Sequence, residues 1–118
     1  MLQIPWQKCQ GDVWGPFLSV DLEHTHFDEM EGVYIIWQAG GPIIRVGQGY
    51  VRDRIAEHRK NPDITAYSNL YVTWAPVSLS QRDGIERYLA NTLNPKIGEA
   101  FPIVVPTPVN LPWLWQVS

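Results

Sequence analysis

At 118 residues, 45% of them hydrophobic, the chain holds enough apolar material for one core and shows no compositional break that would divide it into two domains. Its single cysteine, Cys9, excludes an intrachain disulfide, and residues 1–6 lack both the basic start and the apolar run of a secretory signal, which points to a reducing, cytoplasmic setting. The formal charge of −3 argues against a broad polyanion-binding surface, and prolines at 102, 106, 108 and 112 break the apolar tail well short of the roughly 20 residues of a membrane span, so no membrane role is expected.

Residues 1–31 carry Trp6, Trp14 and Phe17 beside Pro5 and Pro16, and predict an ordered extension wrapped on the domain. Within it, Glu23-His24-Thr25-His26-Phe27-Asp28-Glu29 offers ligands suited to zinc, but no second cluster at ligand spacing accompanies it and it reads as a polar loop. Residues 32–38 and 43–47 are β-branched and aromatic, and the intervening Ala39-Gly40-Gly41-Pro42 is turn chemistry, so the two segments predict a β-hairpin. A four-residue loop pairs Gln38 with Ile43, Ile36 with Arg45 and Tyr34 with Gly47. Because side chains alternate faces, Tyr34 and Arg45 then lie on one face as diagonal neighbours, while Val33, Ile35, Trp37, Ile44 and Val46 form the opposite, apolar face.

A helix is expected over residues 50–60, ended by Asn61-Pro62 because the residue before a proline disfavours helix. Val51 and Ile55 mark its buried stripe; Arg54 and His58 fall beside that stripe, and Arg52, Asp53 and Glu57 point away. The net charge conceals a local excess here, since Arg45, Arg52, Arg54, Arg59 and Lys60 stand against only Asp53 and Glu57 in the same sixteen residues. Residues 69–77 read as a third strand. Ser80, with Asp83 three residues on, then looks like a capping box that opens a helix over 81–93, with Ile85, Leu89 and Leu93 on its core face, Glu86 at the margin of that face, and Asn94-Pro95 as its stop. The tail, residues 102–118, carries Trp113 and Trp115 and is again expected to be ordered; the six tryptophans read as core material before base-stacking platforms.

Taken in order, Gly32-Val33-Tyr34 on a strand, Arg45-Val46-Gly47 ending the next, a helix bearing Arg54 and His58, and a later helix bearing Glu86 resemble the GIY-YIG endonuclease domain over about 70 of the 118 residues. The first tripeptide stands for the family's first motif, the second for its second motif, Arg54 for the catalytic arginine, His58 for a histidine found in some members, and Glu86 for the metal-binding glutamate. The resemblance implies an α+β (α/β) domain in β-β-α-β-α order, a small three-stranded antiparallel sheet flanked by helices, with a core over about residues 32–101 of a single domain spanning 1–118. It also implies hydrolysis of phosphodiester bonds with one Mg²⁺ or Mn²⁺ ion on Glu86 and nucleic acid, DNA first, as substrate; in a chain this short, specificity is expected to come from a protein partner or to be absent. Two positions depart from the pattern: Arg45 replaces the second motif's tyrosine, and Gly98 stands where the family carries an asparagine.

The chemistry asked of these residues is specific. Glu86 supplies a hard carboxylate ligand, Arg54 a bidentate fork for phosphate, and Tyr34 a hydroxyl that orients or deprotonates water if nearby Arg45 and Arg54 lower its pKa from about 10; His58 relays the proton or positions Tyr34. Arg45, Arg52, Arg54, Arg59 and Lys60 form the expected nucleic-acid contact. Gly47-Gln48-Gly49 lacks the lysine of a phosphate-binding loop, so nucleotide binding is not expected. Two other readings stay open: a catalytically impaired module that binds nucleic acid without cleavage, and an adaptor that uses the Pro/Trp-rich tail.

Overall fold

The computed structural model describes residues 1–98 and 100–113, so Trp115 and the rest of 114–118 lie outside the described residues. In chain order the elements are β1 (Gly15–Pro16), a 3-10 turn (Thr25–Phe27), β2 (Glu31–Gln38), β3 (Ile43–Tyr50), α1 (Val51–His58), α2 (Pro62–Thr65), β4 (Leu70–Pro76) and α3 (Leu79–Leu93). The sheet runs in the order β1-β4-β2-β3 with every neighbouring pair antiparallel, an α+β architecture. It has four strands where three were expected. The added strand, Gly15–Pro16, pairs with Val72 and Tyr71, and nothing in a Gly-Pro dipeptide signals a strand; only its place beside β4 makes it one.

Central β2 is buried on both faces, and the faces pack against different helices. Val33, Ile35 and Trp37 join Val46 and the α3 residues Ile85 and Leu89 in one core, whereas Tyr34 and Ile36 join Val51 and Ile55 of α1 and Ile64 of α2 in a second. The hairpin register places Tyr34 opposite Gly47 and Ile36 opposite Arg45, as the four-residue loop implies. Between Ile36 and Trp37 the ladder slips by a bulge, so Trp37, not Gln38, pairs with Ile43. Consequently Ile43 packs in the α3-side core and Ile44 in the Tyr34-side core, the reverse of the expected place for Ile44. The outer side of β3 is partly covered, because Lys96 N and Ile97 N donate to the carbonyls of Ile43 and Ile44 at 3.0 and 2.8 Å.

The helix boundaries follow local chemistry with two differences. The chain does not stop at Asn61-Pro62 but restarts there: the Asn61 side chain accepts from Asp63 N at 3.0 Å and Pro62 takes the first turn of α2, where its missing N–H costs nothing. Ser78, not Ser80, holds the N-cap position of α3, without a side-chain cap bond, and Asp83 turns away to Gln48, so no capping box forms. Asn94, in the left-handed region at φ 48°, closes α3 ahead of Pro95.

The N-terminal extension is stitched to β4, Gln7 N donating to Trp74 O at 2.8 Å and Phe17 N to Leu70 O at 2.9 Å, and the C-terminal extension is stitched to the N-terminal one. Asn110 clamps the Ile4 backbone, accepting from its N–H at 2.7 Å and donating to its carbonyl at 3.0 Å, and Trp6 Nε1 donates to Asn110 O at 2.8 Å. Trp14, Trp37 and Trp113 meet with ring centroids 4.7–5.9 Å apart, edge-on or tilted, Trp37 buried in the core and the other two partly buried against it. No helix among the described residues is long and apolar enough to cross a membrane.

Candidate functional site

Gly47 is the residue around which the site is built. A Cβ there would lie 2.2 Å from the Tyr34 hydroxyl and 2.5 Å from its Cζ, so only a bare Cα lets the Tyr34 ring lie across β3. That ring is 1% exposed, and its Oη stands 2.6 Å from Nε2 of His58, at the C-terminal end of α1 and 6% exposed. The hydroxyl hydrogen needs a partner inside the protein, and His58 Nε2 is the acceptor at hand; the bond therefore runs from Tyr34 O–H to Nε2, with the other imidazole proton on Nδ1. Burial pushes the Tyr34 phenol above its ordinary value of 10, against the charge and hydrogen-bonding pull of Arg45. Arg45 and Arg54 both pull the phenol down, as expected of them, but burial outweighs the two and Tyr34 is not a phenolate. Burial, helped by Arg45, brings His58 down from 6.5 to about 4, so both partners of this bond are neutral at pH 7.

Arg45 shares the Tyr34 face, and its Nε is buried with no hydrogen-bond partner among the described residues. With Glu57, His58, Asn61 and Ala100 it lines an open cleft of about 400 Å³, with Glu57 at its solvent-exposed rim. A cleft walled by an orphaned guanidinium N–H and an imidazole is suited to an anion. Arg54 lies nearby, its stem passing Gly49, where φ of +130° requires glycine and a Cβ would contact Arg54 Cγ and Cδ at 3.5 Å. Its guanidinium pairs with Glu57 at 3.0 Å, on the solvent side of the helix, while its charge still reaches Tyr34 and His58.

Glu86 approaches from α3, across the sheet from α1. It is 8% exposed, and burial followed by the nearby Asp83 charge raises its carboxyl above 4.5, while Gln48 and Arg45 pull it down. The Gln48 amide donates to Glu86 Oε1 at 2.7 Å and to Asp83 Oδ1 at 2.6 Å. Arg82, one turn before Glu86, pairs instead with Glu31 at 3.0 Å, which leaves Glu86 free of a structural ion pair with it. From sequence, Gln48 reads only as part of Gly47-Gln48-Gly49 and Asp83 only as a capping residue, neither as a site residue. The i, i+3 spacing of Asp83 and Glu86 was the signal that placed two carboxylates on one helix face.

Of the basic residues expected to meet nucleic acid, two are occupied elsewhere. Arg52 donates to the carbonyls of Leu22 and His24 and pairs with Asp28 at 2.8 Å; Arg59 donates to Phe17 O at 2.9 Å and Val20 O at 2.7 Å. Both hold the N-terminal extension against α1. Lys60 makes no ion pair among the described residues. The histidines of the extension serve structure as well, since His26 Nε2 accepts from Trp74 Nε1 at 2.9 Å and His24 Nδ1 accepts from His26 N; no group of three or more His, Cys, Asp or Glu side chains among the described residues is arranged to hold a metal.

Set against family models, curated proteins and solved structures, the chain matches none.

Proposed function

We propose that the chain is a metal-dependent nuclease of the GIY-YIG type, hydrolysing phosphodiester bonds in nucleic acid. The observation that carries this reading is the buried Tyr34–His58 hydrogen bond of 2.6 Å beside the orphaned Nε of Arg45, at the wall of an open cleft. A phosphate in that cleft meets Arg45 on one side and the His58 ring on another, and Arg54 joins it by releasing Glu57. Drawing Arg45 onto the phosphate also uncovers the Tyr34 hydroxyl, which takes a proton from the attacking water while passing its own to His58 Nε2. A phenol and an imidazole linked in this way need no free phenolate. Burial is the chief cause of the low His58 pKa; the anion next to Arg45 and Arg54 offsets the cationic part of it, so a protonated imidazole is less disfavoured when the substrate is present.

The residues on α3 fit a divalent cation of the Mg²⁺ type, which takes carboxylate oxygens and completes its octahedron with waters and phosphate, so one well-held carboxylate is enough. Glu86 would hold it, and the bound ion would stabilise charge on the phosphoryl oxygens and the leaving alkoxide. Glu86 is pre-oriented for this by Gln48.

Incubation of the protein with plasmid, single-stranded DNA and RNA in Mg²⁺ or Mn²⁺ tests the reading, with cleavage expected from wild type and lost in Glu86→Ala. No cleavage by wild type, or equal cleavage by both, removes it. A non-cleaving nucleic-acid-binding module is the second reading, favoured by Arg45 in the place of the second motif's tyrosine and by Gly98 in the place of the family's asparagine. Salt-dependent oligonucleotide binding without cleavage would support it.

A further inference from the structure

We propose that Gln48 is a positioning residue for Glu86: by holding Oε1, its amide presents the remaining carboxylate oxygen, Oε2, to a divalent cation. The inference rests on the nuclease reading and extends it to a residue outside the motif glycines. Gln48 lies opposite Val33 on β3, on the side of the sheet that packs α3, so its amide ties the strand to the helix. One amide nitrogen donates to both Glu86 Oε1 and Asp83 Oδ1, at 2.7 and 2.6 Å. The assignment of nitrogen and oxygen in this amide follows from chemistry, since the reverse orientation would set a third acceptor against two carboxylates.

Several features make this more than a surface contact. Both hydrogens of the NH₂ group are used, so the Gln48 side chain has one orientation that satisfies it. Asp83 and Glu86 are like charges on one helix face, and without a shared donor they would turn apart. Asp83 thus serves as the second anchor of the amide and keeps it beside Glu86. A buried carboxylate with one oxygen fixed by a neutral donor presents its second oxygen in a defined direction, which is what a cation that demands near-octahedral geometry needs.

The test compares wild type, Gln48→Leu, Gln48→Ala and Glu86→Ala by Mn²⁺ titration with electron paramagnetic resonance, by cleavage as a function of Mg²⁺, and by near-UV circular dichroism to confirm the fold. Gln48→Leu keeps the side-chain volume and removes both donors; both Gln48 variants should bind Mn²⁺ about 10- to 100-fold more weakly than wild type, with excess Mg²⁺ restoring turnover. In a ¹⁵N correlation spectrum the side-chain amide pair lost in Gln48→Leu should shift when Mg²⁺ is added to wild type and stay in place in Glu86→Ala. Wild-type Mn²⁺ affinity in folded Gln48→Leu or Gln48→Ala, or an unmoved amide pair in wild type, overturns the inference about Gln48. Wild-type Mn²⁺ affinity in Glu86→Ala instead removes the metal reading on which it rests.

Discussion

Acidification provides a quantitative test of the Tyr34–His58 pair. His58 falls from 6.5 to about 4 in the folded protein, chiefly through burial and secondarily through Arg45, with Glu57 opposing. Above pH 6.5 the imidazole is neutral in both the folded and unfolded chain, and the stability associated with the depressed value is fully present. As pH falls through 6.5 the unfolded chain takes up a proton that the folded state refuses until about 4, so stability is lost across that window. A separation of this size corresponds to at most about 3 kcal/mol. Glu86 works in the opposite direction, because its raised value lets the folded state bind a proton earlier than the unfolded chain does. Wild type alone would therefore show the sum. His58→Gln isolates the histidine term, since the glutamine amide reaches the place of Nε2, accepts the Tyr34 hydroxyl and does not titrate. Urea unfolding at pH 7.5, 6, 5 and 4 should show the wild-type free energy falling more steeply than that of His58→Gln, the gap widening between pH 6.5 and 4. Curves parallel within about 0.5 kcal/mol, the scatter expected of such comparisons, would refute a buried neutral His58.

Tyr34→Phe keeps the ring over Gly47 and strips the donor from His58 Nε2; it should cost about 1–3 kcal/mol in urea unfolding and reduce cleavage about 10²- to 10⁴-fold. Loss of activity without loss of stability would place the hydroxyl outside the buried network. Gly47→Ala drives a methyl into the Tyr34 hydroxyl, 2.2 Å from the added carbon, and should destabilise by about 1–3 kcal/mol and displace the His58 imidazole resonances; unchanged imidazole signals would contradict the packing at Gly47. Arg59→Ala frees the carbonyls of Phe17 and Val20, so it should lower thermal stability while leaving the salt slope of oligonucleotide binding intact, whereas Arg45→Ala should reduce that slope by about 1; equal slopes in the two variants would count against the division of labour between these arginines.

Much of the scaffold is legible in one dimension because it follows from nearest-neighbour chemistry. β-branched and aromatic runs around Gly40-Gly41-Pro42 make the hairpin, the loop length sets Tyr34 against Gly47, and period-four apolar residues make α3. Three misreadings share a physical cause, competition from a distant partner. Asp83 satisfies the amide of Gln48 in preference to a helix N-terminus; a bulge moves Ile44 to the other core; and Gly15–Pro16 becomes a strand because β4 has a free edge.

The sequence alone determines which residue types stand at strand and helix positions, and hence that Tyr34 and Arg45 share a face while Glu86 lies at a helix margin. Only the tertiary structure decides what those groups are. It buries Tyr34 and His58 together and holds both neutral, turns Arg52 and Arg59 into anchors for the stretch from Phe17 to Asp28, and leaves Arg45 as the guanidinium at the cleft. Desolvation and hydrogen-bond partners depend on what packs on top of a residue, and that information comes from segments far away in the chain.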